Sequence, residues 1–152
     1  MSGRRRFGRG LANVLVALGV GAVAVVIGIV VEHRASAAPS TLGPGLVTVH
    51  VQIHYSHFSI SELHVKPGTT VRFLIENHDP INHEFIVGPP AVHALHERGN
   101  HPAHPPVPGE VSIGADDYGL TFYRFNQPGR VLFACHLPGH FAYGMRGWVV
   151  VE

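Results

Sequence analysis

The fold class that the sequence predicts is an all-β, antiparallel β-sandwich preceded by one N-terminal hydrophobic helix. Three observations predict it. Short runs of alternating apolar and polar residues recur from about residue 46 to the C-terminus. Turns rich in proline and glycine separate them, and one long uncharged stretch stands alone near the N-terminus. With 152 residues, the chain is long enough for one domain and a topogenic segment, but not for two sizeable cores.

The N-terminal stretch comes first. Arg4, Arg5, Arg6 and Arg9 precede a run from Leu11 to Val31 that holds no charge. At about 1.5 Å per residue, such a run can cross a hydrocarbon layer of roughly 30 Å as a helix. The arginines before it predict an N-in orientation, with everything downstream extracytoplasmic. Two outcomes stay open. The segment is either an uncleaved transmembrane anchor or an export signal, since Ala35-Ser36-Ala37 offers a small-residue processing site. Arg4-Arg5-Arg6-Phe7-Gly8-Arg9 also resembles a twin-arginine export signal. Ala35 to Gly45 is rich in alanine, serine, proline and glycine and reads as a linker. The expected organisation is therefore residues 1–37 as anchor or signal, 38–45 as linker and 46–152 as the exported domain.

Val47, Val49, Val51, Ile53 and Tyr55 alternate with polar residues, the period of two of a half-buried strand. A second strand is expected over Phe58–Val65. Lys66-Pro67-Gly68 then makes a turn, because proline presets the first central angle and glycine tolerates the next. Thr69–Asn77 places Val71, Phe73 and Ile75 on one face. Asn77-His78-Asp79-Pro80 turns the chain into a short strand over His83–Val87. From Gly88 to Gly109 no apolar period survives, and a long functional or mobile loop is expected. Strands resume over Glu110–Gly114, Leu120–Asn126, Arg130–Cys135 and Gly147–Glu152. No segment reads as an amphipathic helix, and no internal repeat is found.

Charge narrows the function classes. The formal net charge is +1, and 13 histidines stand against a single cysteine. Without the first 37 residues, which carry Arg4, Arg5, Arg6, Arg9, Arg34 and Glu32, the remainder has six basic and nine acidic residues, near −3. Such a body lacks the basic footprint of a nucleic-acid binder. One cysteine excludes an internal disulfide framework and leaves a thiol that, in an exported protein, must be buried or bound to metal.

That thiol opens the stretch Cys135-His136-Leu137-Pro138-Gly139-His140-Phe141-Ala142-Tyr143-Gly144-Met145. Four residues separate His140 from each sulfur. Thiolate, imidazole and thioether together suit copper. Thioether is a poor zinc ligand, and a structural zinc site more often draws on several cysteines or histidines. A Cys-His nucleophile has no acidic neighbour to orient its base and leaves Met145 without a role. A further histidine is needed from a strand near a turn at the same end of the sandwich, and His83 fits.

These segments, with Leu63 to Phe73 and Asn77 to His83, resemble the type 1 blue-copper proteins of the cupredoxin family, over roughly residues 46–152. The spacing around His140 is most similar to auracyanin-like and azurin-like members. The resemblance implies a Greek-key sandwich holding one copper. Its ligands would be His83, Cys135 and His140 in the equatorial plane and Met145 on the axis. It also implies single-electron transfer to redox partners through the surface around His140, where Pro138, Phe141 and Ala142 would form an apolar patch. A residue beside the first histidine would order the cysteine loop, a part open to Asn82 before it and Glu84 after it. The alternative function is copper binding or delivery without redox shuttling. Catalysis is not expected: the chain has no His-x-His for a trinuclear copper cluster, and a copper nitrite reductase needs more than one such domain. Membrane contact, if the first segment is uncleaved, would come through that segment alone.

The other histidines are read more plainly. His93, His96, His101 and His104 are expected to line an exposed loop, with a weak Cu(II) or Zn(II) site as the rival reading. His50 and His54 share one strand face, a second surface-site candidate; His57 and His64 sit on polar faces. His136 is expected to be a bystander.

Overall fold

The computed structural model describes residues 40–99 and 104–152. The hydrophobic run at 11–31, the processing site and the expected boundary at residue 37 lie outside them, as does His101. No helix among the described residues is long and apolar enough to cross a membrane.

Among the described residues, nine strands form two sheets. The first strand, β1 (Gly45–His54), is followed by β2 (His57–Phe58), β3 (Glu62–Val65), β4 (Thr69–Asn77) and β5 (His83–Gly88). After the helix α1 (Pro90–Glu97) come β6 (Glu110–Ile113), β7 (Tyr118–Phe125), β8 (Gly129–Ala134) and β9 (Arg146–Val151). One sheet has the order β2-β1-β4-β7, the other β3-β9-β8-β5-β6. The sandwich is thus borne out, but its sheets are mixed. The strands β1 and β4 run parallel with Val51 opposite Ile75, and β3 and β9 run parallel with Val65 opposite Val151. Alternation along a strand reports which face is buried, not the direction of its neighbour. Parallel neighbours need a crossover, and β3, which belongs to the opposite sheet, supplies it between β1 and β4.

The expected strand over Phe58–Val65 is two strands. Phe58 ends β2 in one sheet and Glu62 opens β3 in the other, so the segment switches layers. The second departure is α1, inside the segment expected to be a loop. Its Pro89-Pro90 start reads as loop punctuation, yet proline suits a helix's first turn, where no intrahelical N–H is needed. Its buried residues are His93 and His96, three apart on one face, so the inward stripe is imidazole rather than aliphatic. A hydrophobic-period search passes over such a helix.

Val51, Ile53, Val71, Phe73 and Ile75 of the first sheet face Phe85, Val87, Val111, Phe133 and Val149 of the second. Phe85 centres this core. Its ring lies 4.9 Å from that of Phe73 across the sandwich, 5.4 Å from Phe133 in its own sheet and 5.3 Å from Phe58. Gly147 is required by close packing: a Cβ there would overlap the Phe133 ring and the Ser61 carbonyl. All six residues of β5 are buried, one face by the core. On the other face Glu84 meets His96 of α1.

Candidate metal centre

The strands bring the expected ligands together by register. The strands β8 and β9 are antiparallel neighbours, with Ala134 opposite Arg146, so residues 135–145 form the connection between two paired ends. The Cys135 N–H donates to the Met145 carbonyl at 3.0 Å and closes it. Also antiparallel to β8 is β5, with Ile86 opposite Ala134, so the start of β5 meets the end of β8 and His83 arrives at the Cys135 loop.

Within the loop the chain winds in tight turns. The His140 N–H donates to the Leu137 carbonyl, that of Tyr143 to Gly139 and that of Met145 to His140, at 3.0, 3.0 and 3.1 Å. Gly139 and Gly144 have φ of 88° and 95°, a region that costs side-chain-bearing residues energy and glycine none. Fixed in this way, His140 Nδ1 stands 3.2 Å from His83 Nδ1 and 3.3 Å from Cys135 Sγ, and the three donor atoms cluster mutually. Cys135, His83 and Met145 are buried, while His140 is half-buried. Met145 is placed at the site's edge by its backbone bonds to His140 and Cys135.

The ring of His83 is held from behind. Its Nε2 lies 2.9 Å from Asp79 Oδ2, so Nε2–H donates to the carboxylate and the Nδ1 lone pair faces Cys135 and His140. Asp79 in turn accepts the N–H groups of Tyr55 and Ser56, each at 2.7 Å, from the turn between β1 and β2. Burial alone would raise the Asp79 pKa. The Ser56 and Tyr55 amides and His83 outweigh it, holding the carboxyl below its ordinary value. Burial, reinforced by nearby His140, pushes the His83 pKa down against the pull of Asp79, so the ring is neutral at pH 7. The Cys135 thiol is pushed up to about 11, mainly by burial. The Glu84 N–H, 3.4 Å from Sγ, works the other way and favours thiolate. A cation at this point would displace the thiol proton, as thiolate–metal bonding requires.

Glu84, rather than Asn82, orders the cysteine loop. Its amide meets Cys135 Sγ and its Oε2 accepts the His136 N–H at 3.3 Å, whereas Asn82 Oδ1 accepts the Ala115 N–H. His136 lies outside the donor grouping, as expected, but it is not idle: its Nε2 is 2.9 Å from His93 Nδ1 and its ring stacks on Phe141 at 5.3 Å. The loop histidines are likewise not an exposed fringe, since His93 and His96 are buried. His64 lies between Glu152 and Glu62, at 2.7 and 3.0 Å, and His57 Nδ1 meets the Tyr55 carbonyl. His50 and His54 belong to none of the ligand groupings among the described residues. Asp79 and Glu84 are the functional residues that sequence reasoning passed over or left open. The available signal was position: a carboxylate four residues before His83 and another directly after it.

Comparison with known proteins agrees with this geometry. The model of the copper binding proteins of the plastocyanin/azurin family matches residues 46–152. The chain is 38% identical over 98 residues to the copper-resistant cuproprotein CopI of Rubrivivax gelatinosus, covering 62% of this chain and 59% of that protein. It is 24% identical over 152 residues to the CopI of Pseudomonas aeruginosa, covering 78% and 83%. The chain thus spans less than two thirds of the first of these relatives. Among solved structures, reduced auracyanin from Roseiflexus castenholzii superposes with a TM-score of 0.58 at 21% identity, over 69% of this chain and 96% of that one. Auracyanin A from Chloroflexus aurantiacus gives 0.56 at 23%, over 71% and 100%. These two likenesses concern the fold.

Proposed function

Because the chain belongs to the plastocyanin/azurin family of copper-binding proteins, the cupredoxins, we propose that it is an exported carrier of single electrons. In this reading His83, Cys135 and His140 would hold the copper, with Met145 as a fourth ligand. One observation carries the reading. Two imidazole nitrogens and a thiol sulfur, from two different parts of the chain, converge within 4.8 Å of one another, with His140 Nδ1 3.2 and 3.3 Å from the other two, in a largely buried site. Bound there, a copper ion supplies a one-electron couple whose potential depends on the axial ligand and on the surroundings of the cysteine sulfur.

The protein's own residues do the rest. Asp79 fixes the His83 tautomer, the Glu84 amide points a hydrogen-bond donor at the sulfur, and the paired strand ends keep the donors from spreading. A set held so firmly changes little between oxidation states, which favours fast transfer. His140 reaches the surface beside exposed Pro138, Ala142 and Tyr143, an apolar rim suited to a brief encounter with a redox partner. The cleft beside His83, lined by Asn82, Ser112, Gly114 and Leu137, has about 150 Å³. That is below the roughly 300–1,000 Å³ usual for small-molecule sites. Export rests on the arginines and apolar run of residues 4–31, and the protein then works outside the cytoplasm, anchored or released.

A second reading is favoured by the names of the relatives, copper-resistant cuproproteins. In it the same site sequesters or hands on copper without redox traffic. Loading the full chain with Cu(II) separates the two. An intense visible copper–thiolate band, bleached and restored by mild reductant and oxidant, is expected, with rapid electron exchange with a small cytochrome. Cys135→Ser abolishes the band. Copper transfer to an acceptor chelating protein without electron exchange favours the second reading, and a band that survives Cys135→Ser refutes the ligand set.

A further inference from the structure

On the far side of β5 from the core, a second group of donors converges. Glu110 Oε2, at the start of β6, lies 2.9 Å from His96 Nε2 of α1 and 3.2 Å from His104 Nε2, and the donor atoms cluster mutually. The His96 ring is almost wholly buried, and the other two side chains are mostly so. None of the three belongs to the Cys135 site.

We propose that His96, His104 and Glu110 form a second metal site that binds Cu(II). Metal–ligand bonds of about 2.0–2.1 Å put adjacent donor atoms roughly 2.9–3.4 Å apart in square or tetrahedral arrangements. Both separations to Glu110 fall in that span. Two imidazoles and one carboxylate, with no sulfur, form a nitrogen–oxygen set, and among first-row divalent ions such a set binds Cu(II) most tightly.

The contacts of His96 sharpen the argument. Its Nδ1 faces Glu84 Oε1 at 3.3 Å while its Nε2 faces Glu110 Oε2. A neutral imidazole has one donor nitrogen, so it can donate to only one of these carboxylates. Either the ring is an imidazolium bridging two acids, or Nδ1–H donates to Glu84 while the Nε2 lone pair and Glu110 share a cation. The second arrangement also accounts for His104, whose Nε2 converges on the same Glu110 oxygen. It reproduces the usual order of metal, histidine and supporting carboxylate. Glu84 then serves both centres. Its amide points at Cys135 Sγ, and its carboxylate holds His96 with one oxygen and the His136 amide with the other.

Metal-free full-chain protein titrated with Cu(II) tests this, with stoichiometry read by calorimetry and species by EPR. The wild type takes up two equivalents, one with the intense visible band and one with the weakly coloured, wide-hyperfine spectrum of tetragonal Cu(II). Glu110→Gln and His96→Asn each lose the second equivalent and keep the visible band, which also shows that the variants fold. Cys135→Ser loses the band and keeps the second equivalent, so a failure of the blue-copper reading stays distinguishable from a failure of this one. Uptake of one equivalent by the wild type overturns the proposal. So does a second equivalent that persists in both Glu110→Gln and His96→Asn.

Discussion

Asp79 shows how much of the proposed copper site lies outside its ligands. The carboxylate touches His83 through one ring nitrogen and thereby decides which nitrogen is left for the metal. The same group caps the Tyr55–Ser56 turn, whose two residues both have positive φ, at 52° and 55°. One side chain therefore ties a strained turn of the first sheet to His83, a proposed ligand, in the second. Asp79→Asn retains an acceptor for the turn but weakens the bond that orients the imidazole. Copper affinity, measured by competition with a chelator, is expected to fall about 10–100-fold. The visible band persists, because no ligand is removed. An unchanged affinity would mean that packing alone orients His83.

At the scale of elements, β5 is the strand on which the molecule depends. It carries His83 and Glu84 at its start and Phe85 in the middle of the core, buried on both faces. Phe85→Ala removes the ring that Phe58, Phe73 and Phe133 all contact, and is expected to destabilise the protein by about 3–5 kcal/mol in denaturant titrations. A loss under about 1 kcal/mol would show that the core repacks around the gap. The inward residues of this strand were legible in the sequence, as were those of β4, because alternation records burial directly. So was the Cys135–Met145 loop as a unit, whose cysteine, histidine and methionine are local in sequence and chemically unlike ordinary core. What could not be read was anything set by contacts between distant segments. The parallel pairing of β1 with β4 depends on β3 leaving for the other sheet. The helix α1 buries histidines, which carry no hydrophobic period, and its partners Glu84, Glu110 and His136 arrive from three other segments.

Among the described residues the buried titratable groups, Asp79, His83, Glu84, His93 and His96, gather around the start of β5 and the end of β8, and this shapes the response to acid. Burial pushes the His93 pKa down despite the carbonyls of Leu132 and Gly88, and the nearby imidazole of His96 adds to the effect. Burial and the neighbouring His93 and His96 push His136 down to about 4. Both rings therefore hold a proton less readily in the fold than in the unfolded chain, where they titrate near about 6.5. Protons bind the unfolded state first, so stability from this pair is complete above about pH 6.5 and declines as the pH falls below it, for His136 down to about 4. His64 has the opposite sign. Glu152 and Glu62 raise its pKa, so its contribution is complete below about 6.5 and fades as the pH rises through the raised value. The acid-side loss thus belongs to His93 and His136, joined by the likewise depressed His83 and Asp79, and not to His64. Copper-free protein is expected to lose on the order of 1 kcal/mol through His136 between pH 6.5 and 4.5, a figure reduced for the ring's partial exposure. Denaturant midpoints across that range measure it, and His136→Gln flattens the slope while leaving the pH 7 fold intact by circular dichroism. A slope as steep in His136→Gln as in the wild type would assign the acid sensitivity to other groups.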